Sequence, residues 1–236
     1  MQAKNVKEVN NELLKVQKQW IDEVVNKFKK ENPNSKVCLP FSFAITEKYL
    51  NSAKKIMYIG KETRGYTDCE FDFITPEENQ KWTEGYTIYP TIKINGKEKE
   101  NSSPFWSLFS QITEKGYGLC WNNINKIESL YPSEAVSINE PFGRDDKSIL
   151  LKEIEISQPD IILLVAGKDY ISSIEKSFGL EEGKLPNKLS NDNFVVDITN
   201  DINIGIPVIW TYHPNYLRSD EKFRKVIEKI NETKIN

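Results

Sequence analysis

Three residues of this chain pair reactive chemistry with a position where a fold would expose it. His213, the only histidine, follows the apolar run Ile206-Pro207-Val208-Ile209-Trp210. Glu62 follows Ile56-Met57-Tyr58-Ile59-Gly60-Lys61, with Tyr66 close behind it, and Asn123 follows Leu119-Cys120-Trp121-Asn122. A carboxylate positions water or stabilises a developing cation, and an imidazole donates a hydrogen bond to a developing anion. A carboxamide carries a donor and an acceptor side by side and can read the edge of a nucleobase. Each residue also has a plainer reading: His213 as the cap of a turn at Pro214, Asn123 as a turn residue, Glu62 as a solvated loop acid.

Their value depends on what positions them. In an open α/β sheet, ligands bind beyond the carboxyl ends of the strands. Periodicity predicts an amphipathic helix over residues 5–30, with Val6, Val9, Leu13, Val16, Trp20, Val24 and Phe28 on one face. A short helix is expected from Thr46 to Ser52 and a buried strand from Ile56 to Ile59. Residues 66–101 carry Phe71, Phe73, Trp82, Tyr86 and Tyr89. A helix is expected there near Pro76 to Trp82, and a hairpin around Asn95-Gly96. Ser102 or Ser103 caps a helix opened by Pro104. Further strands are expected at 119–124, 161–167, 194–198 and 207–210. Helices are expected at 146–157 after an acidic cap, at 170–178 up to Gly179, and at 220–231. Strands alternating with helices predict a three-layer αβα fold around a mainly parallel sheet of four to five strands.

With the motifs placed in order, the chain resembles the uracil-DNA glycosylase superfamily. Gly60-Lys61-Glu62-Thr63-Arg64, with Tyr66 displaced, stands where that superfamily has Gly-Gln-Asp-Pro-Tyr. Asn123-Ile124-Asn125-Lys126 matches Asn-Leu-x-Lys, and Ile161 to Gly167 matches an apolar strand running into glycine. His213-Pro214-Asn215-Tyr216-Leu217 matches His-Pro-Ser-Pro-Leu, and Ser102-Ser103-Pro104 matches a serine-proline segment that touches the DNA backbone. The order agrees from residue 54 to 231. The chain departs in having Glu62 for aspartate, no Pro-Tyr in the first motif, and Asn215-Tyr216 for Ser-Pro.

The resemblance implies a DNA glycosylase over a single domain, 1–236, with an N-terminal helical extension (about 1–52) and an aromatic insertion (about 66–101). A base is flipped from DNA and its N-glycosidic bond hydrolysed. The implied roles give Glu62 the water and the cationic sugar, His213 the departing base, and Asn123 the base edge. One of Tyr66, Phe71 and Phe73 stacks on the base. Ser102, Ser103, Arg218 and Lys222 meet the backbone, and Leu217, or Tyr216 beside it, fills the gap in the duplex. The resemblance implies uracil or a bulkier modified pyrimidine as the base, and the departures and the aromatic insertion favour the bulkier one. Some members of the superfamily act in defence against phages with modified bases. The alternatives are a non-catalytic nucleic-acid or nucleobase binding module of the same fold, and a hydrolase of free nucleosides.

Composition narrows the classes. The chain has 236 residues, a net charge of -3 and 38% hydrophobic residues, as a globular chain does. No apolar run approaches the ~20 residues of a membrane span, and the start lacks the apolar core of a signal peptide. There is no GxGxxG, no GxxxxGK[ST] and no GxSxG, so neither a dinucleotide fold, a phosphate loop nor a hydrolase elbow is indicated. Cys38, Cys69 and Cys120 are widely spaced, which excludes a four-cysteine iron–sulfur cluster and fits a reducing cytoplasm. A cytoplasmic monomer with no metal or other cofactor, acting on DNA and not at a membrane, is therefore expected.

Overall fold

The computed structural model describes residues 4–34, 40–62, 75–88, 90–94, 97–127 and 138–235. At its centre lie β1 (Lys55–Gly60), β4 (Gly118–Asn123), β5 (Ile161–Leu164), β6 (Val195–Asp197) and β7 (Val208–Thr211), in the order β4-β1-β5-β7-β6. The first four of that order run parallel, and β6 closes the edge antiparallel to β7. The strands of the parallel set are buried along nearly their whole length, as parallel strands covered on both faces must be. Helices flank the sheet, and the fold is the three-layer αβα arrangement expected. Between β1 and β4, β2 (Thr91–Ile94) and β3 (Lys97–Glu100) pair as an antiparallel hairpin.

Helix α1 (Val6–Trp20) opens with a capping box: Glu8 N–H donates to Asn5 Oδ1 at 3.0 Å, and Asn5 N–H to the Glu8 carboxylate at 2.9 Å. It continues through a π-helical turn, Ile21–Val25, into α2 (Asn26–Glu31). This N-terminal segment is part of the core and not an appendage. Val6, Val9 and Leu13 belong to the same buried cluster as the strands, and Trp20 and Val25 anchor a second cluster with Ile127, Ile138, Phe142 and Ile149. Residues 40–46 run extended beneath it, ahead of α3 (Glu47–Asn51). Buried amides satisfy their backbone where no strand does. Asn10 exchanges two bonds with Ile45, Gln17 donates to the Phe41 carbonyl, and Gln80 bridges the Asn10 and Phe43 carbonyls.

Gln80 lies on α4 (Pro76–Ile88), which runs six residues past the helix expected to end at Trp82. Helix α5 (Pro104–Glu114) has Pro104 in its first turn and Ser103 at the cap position, but the Ser103 side chain makes no capping bond. Helix α6 (Ile149–Ser157) starts later than its acidic neighbours suggest. Ser148 Oγ is the cap, accepting from Leu151 N–H at 3.2 Å, while Asp146 takes a φ of 50° outside the helix. A 3-10 turn, Lys168–Tyr170, leads into α7 (Ile171–Ser177). Two short helices were not expected from the sequence: α8 (Thr199–Ile202) and α9 (Pro214–Leu217). Helix α10 (Asp220–Glu232) ends the fold, capped by Ser219. Among the described residues no helix is long and apolar enough to cross a membrane.

Candidate functional site

Parallel register sends four strand ends to one edge. Gly60 of β1 pairs with Asn123 of β4, and the two chains stay tied beyond the strands: Ile124 N–H donates to the Gly60 carbonyl at 3.0 Å and Asn125 N–H to the Lys61 carbonyl at 2.9 Å. Glu62 follows directly, half-buried. Beyond β5, Gly167 at φ 74° donates its N–H to Thr211 at 3.1 Å. A side chain is disfavoured at that φ. His213 sits two residues beyond Thr211, so Glu62, Asn123 and His213 all lie at the carboxyl edge.

Successive strand residues face opposite layers, and this sorts the two asparagines ending β4. Asn123 shares a face with Trp121, whose Nε1–H donates to Asn123 Oδ1 at 3.2 Å. That bond fixes which way the amide points. The Nδ2 donor is then buried with no hydrogen-bond partner among the described residues, and the residue is 1% exposed. Leaving such a donor unpaired costs about 1–3 kcal/mol, so it is a candidate for pairing with a ligand's acceptor.

Asn122 faces the other layer. Its Nδ2 donates to Glu153 of α6 at 2.9 Å, and its Oδ1 accepts from Lys126 and from the Asn123 N–H, the latter at 2.8 Å. Lys126 is fully buried, 2.5 Å from the Glu153 carboxylate and beneath the Phe41 and Phe43 rings. Burial lowers the Lys126 ammonium from its ordinary value, and the Glu153 carboxylate opposes that shift in part. A buried ion pair thus stands directly behind Asn123.

One aromatic residue ties the site together. Phe105, in the first turn of α5, stacks on His213 with centroids 5.8 Å apart and planes 23° apart, and meets Tyr58 and Trp121 edge-on. Its ring also lies over Gly60. A Cβ on Gly60 would come 2.8 Å from Asn123 Oδ1 and 3.0 Å from the Phe105 ring. Neither neighbour is free to retreat, because Oδ1 is held by Trp121 and the ring by its aromatic neighbours. Gly60→Ala is therefore expected to cost about 1–3 kcal/mol and to displace Asn123. Denaturant unfolding, together with the near-ultraviolet signal of Trp121, checks both effects.

His213 caps α9: its Nδ1 accepts from Asn215 N–H at 3.3 Å. The cap and the catalytic reading coexist, because an accepting Nδ1 leaves Nε2 carrying the proton of the neutral ring. β4 and β7 are three inter-strand spacings apart, about 14 Å.

The other expected residues divide. Tyr216 is 66% exposed, whereas Leu217 is 2% exposed and packs into the core, since α9 turns its apolar side inward. Of the two wedge candidates, Leu217 is held in the core and Tyr216 is the side chain offered to solvent. Ser102 is exposed and Ser103 partly so, at the start of the helix that carries Phe105, and α5 packs on α9. Arg218 is exposed, its Nε donating to the Asn215 carbonyl at 2.5 Å, and Lys222 lies over the Phe194 ring at 5.5 Å. Arg224 and Lys225 engage Glu228 and Glu221 one turn away. Tyr66, Phe71 and Phe73 lie outside the described residues, as do Cys38 and Cys69. From the sequence alone Phe105 and Trp121 are only apolar residues of a helix and a strand. The i, i+2 spacing of Trp121 and Asn123 on a strand is the signal that pairs them. Among the described residues no group of three or more His, Cys, Asp or Glu could hold a metal ion. No family model matches the chain, and no curated protein matches it.

Proposed function

We propose that this protein is a DNA glycosylase that flips a damaged or modified base, uracil or a bulkier modified pyrimidine, out of DNA and hydrolyses its N-glycosidic bond. The observation that carries the reading is the buried, unpartnered Nδ2 donor of Asn123, oriented by Trp121 and walled by Gly60 and Phe105. A pyrimidine carbonyl supplies the missing acceptor, and the Phe105 ring gives the base a face to stack on. At the far end His213 Nε2–H donates to the base as the bond to C1′ breaks and negative charge gathers on the ring. Glu62 orients a water, and its negative charge stabilises the cationic sugar. The water oxygen bonds to C1′, its proton passes to the carboxylate, and the base leaves with the bonding electron pair, to be protonated in turn. Tyr216, Arg218 and Lys222 meet the strand beside the extruded nucleotide, with Ser102 and Ser103 at its backbone. In this reading the protein works in the cytoplasm as a monomer without a cofactor, in repair or against phage DNA carrying modified bases.

The test is base release from oligonucleotides carrying uracil, damaged pyrimidines and hypermodified pyrimidines, scored as abasic sites. Glu62→Ala and His213→Ala are each expected to slow release by about 100-fold or more. Undiminished release in either variant overturns that residue's role. The same Asn123 donor would serve a binding module equally well, and tight binding without release across the whole panel establishes that second reading. Release from free nucleosides, indifferent to salt, makes the protein a nucleosidase instead, since contact with DNA weakens as salt rises.

A further inference from the structure

An opening lies beside the strand end that carries His213. It is a cleft of about 290 Å³ between the turn after β5, the segment before β6, and α9. Among the described residues its lining is basic and aromatic: Lys61, Lys168 and Lys222 with Phe194, Tyr212 and Tyr216, and Asp169 as the single acid. Two of the three cations sit on rings. Lys61 Nζ is 4.9 Å from the Tyr170 centroid and 5.5 Å from that of Tyr216, and Lys222 Nζ is 5.5 Å from that of Phe194. Ammonium groups beside the exposed Tyr216 ring complement a phosphate beside a nucleobase, and base stacking on aromatics is tolerant of sequence.

The geometry points to single-stranded DNA as the preferred substrate, and we infer that this cleft seats a second, unpaired nucleotide beside the one whose base meets Asn123. The inference rests on the glycosylase reading and narrows it. In a duplex only the target base leaves the stack, at a cost of a few kcal/mol, and a second extrusion repeats that cost. An unpaired strand has already met it. The buried Leu217 agrees: α9 offers a duplex no aliphatic wedge, only Tyr216, which Lys61 holds at the mouth of the cleft.

The test compares binding of labelled single-stranded and duplex oligonucleotides, without a target base, by fluorescence anisotropy over a range of salt. Single strands are expected to bind at least about tenfold more tightly than duplex. Tyr216→Ala is expected to weaken single-strand binding by about 5- to 100-fold, and Tyr216→Phe to retain it. Each of Lys61→Gln, Lys168→Gln and Lys222→Gln is expected to flatten the slope of log affinity against log salt by about 0.7. Duplex binding as tight as single-strand binding, or Tyr216→Ala binding like the parent, overturns the inference. If base release from duplex DNA persists in that case, the glycosylase reading survives. Absence of both base release and DNA binding overturns the two together.

Discussion

Asn123→Ala is expected to reduce base release by about 100-fold or more while leaving stability within about 1 kcal/mol of the parent. The two halves of that result have separate causes. In the parent, Nδ2 is desolvated without a partner, and removing it recovers a penalty of about 1–3 kcal/mol. Against that gain, Trp121 Nε1 loses its acceptor and a small cavity opens, which together cost a similar amount. A purely structural asparagine behaves oppositely: its loss unfolds the protein, and activity falls only in step. Asn123→Asp separates the readings further. It keeps an acceptor for Trp121 but buries a carboxylate, so it is expected to be less stable than the alanine variant. Denaturant unfolding of both variants, set beside their base release, checks the pattern. A loss above about 3 kcal/mol in the alanine variant, with release falling in proportion, assigns Asn123 to the fold instead.

The sheet was legible in the sequence because its strands are apolar runs ending in Gly60, Asn123, Gly167 and His213, and alternation with helices leaves few topologies. The approximate extents of α5, α10 and the helix expected over 5–30 followed from periodicity, whereas β5 ends at Leu164, three residues short of Gly167. What the sequence hid depends on contacts between distant segments. Phe105 reads as one apolar residue of an amphipathic helix, and nothing local says that its ring bridges Gly60 and His213. Asn122 and Asn123 read as one polar pair, although the pleat sends them to opposite layers. Leu217 was read as a wedge by analogy with a motif, but the short helix α9 turns it inward and leaves Tyr216 outside. The buried amides Asn10, Gln17 and Gln80 look like solvated helix residues until residues 40–46 are laid beneath them.

The largest loss of stability is expected from Glu153→Ala. Lys126 is fully buried against Glu153, and stripping one member of a buried ion pair costs about 3–5 kcal/mol because the other charge is left unpaired. Replacing both is different: Lys126→Met with Glu153→Leu removes two desolvated charges and fills similar volume, so most of the loss is expected to return. The sign with pH follows from burial. The folded state holds the Lys126 ammonium's proton less tightly than the unfolded chain does, so the unfolded chain binds more protons in the window below the free lysine value of about 10.4. Parent stability measured against the double variant therefore rises with pH through that window, and the penalty is fully present below it. Base release is expected not to recover with stability. Asn122 is oriented by donating to Glu153 and accepting from Lys126, and the same oxygen receives the Asn123 N–H. With both charges gone, Asn122 has neither anchor, and the strand end carrying Asn123 loosens. A double variant stable to within about 1 kcal/mol of the parent yet about tenfold slower in base release makes the pair a positioning device for Asn123. Full recovery of both makes it a device of the fold alone.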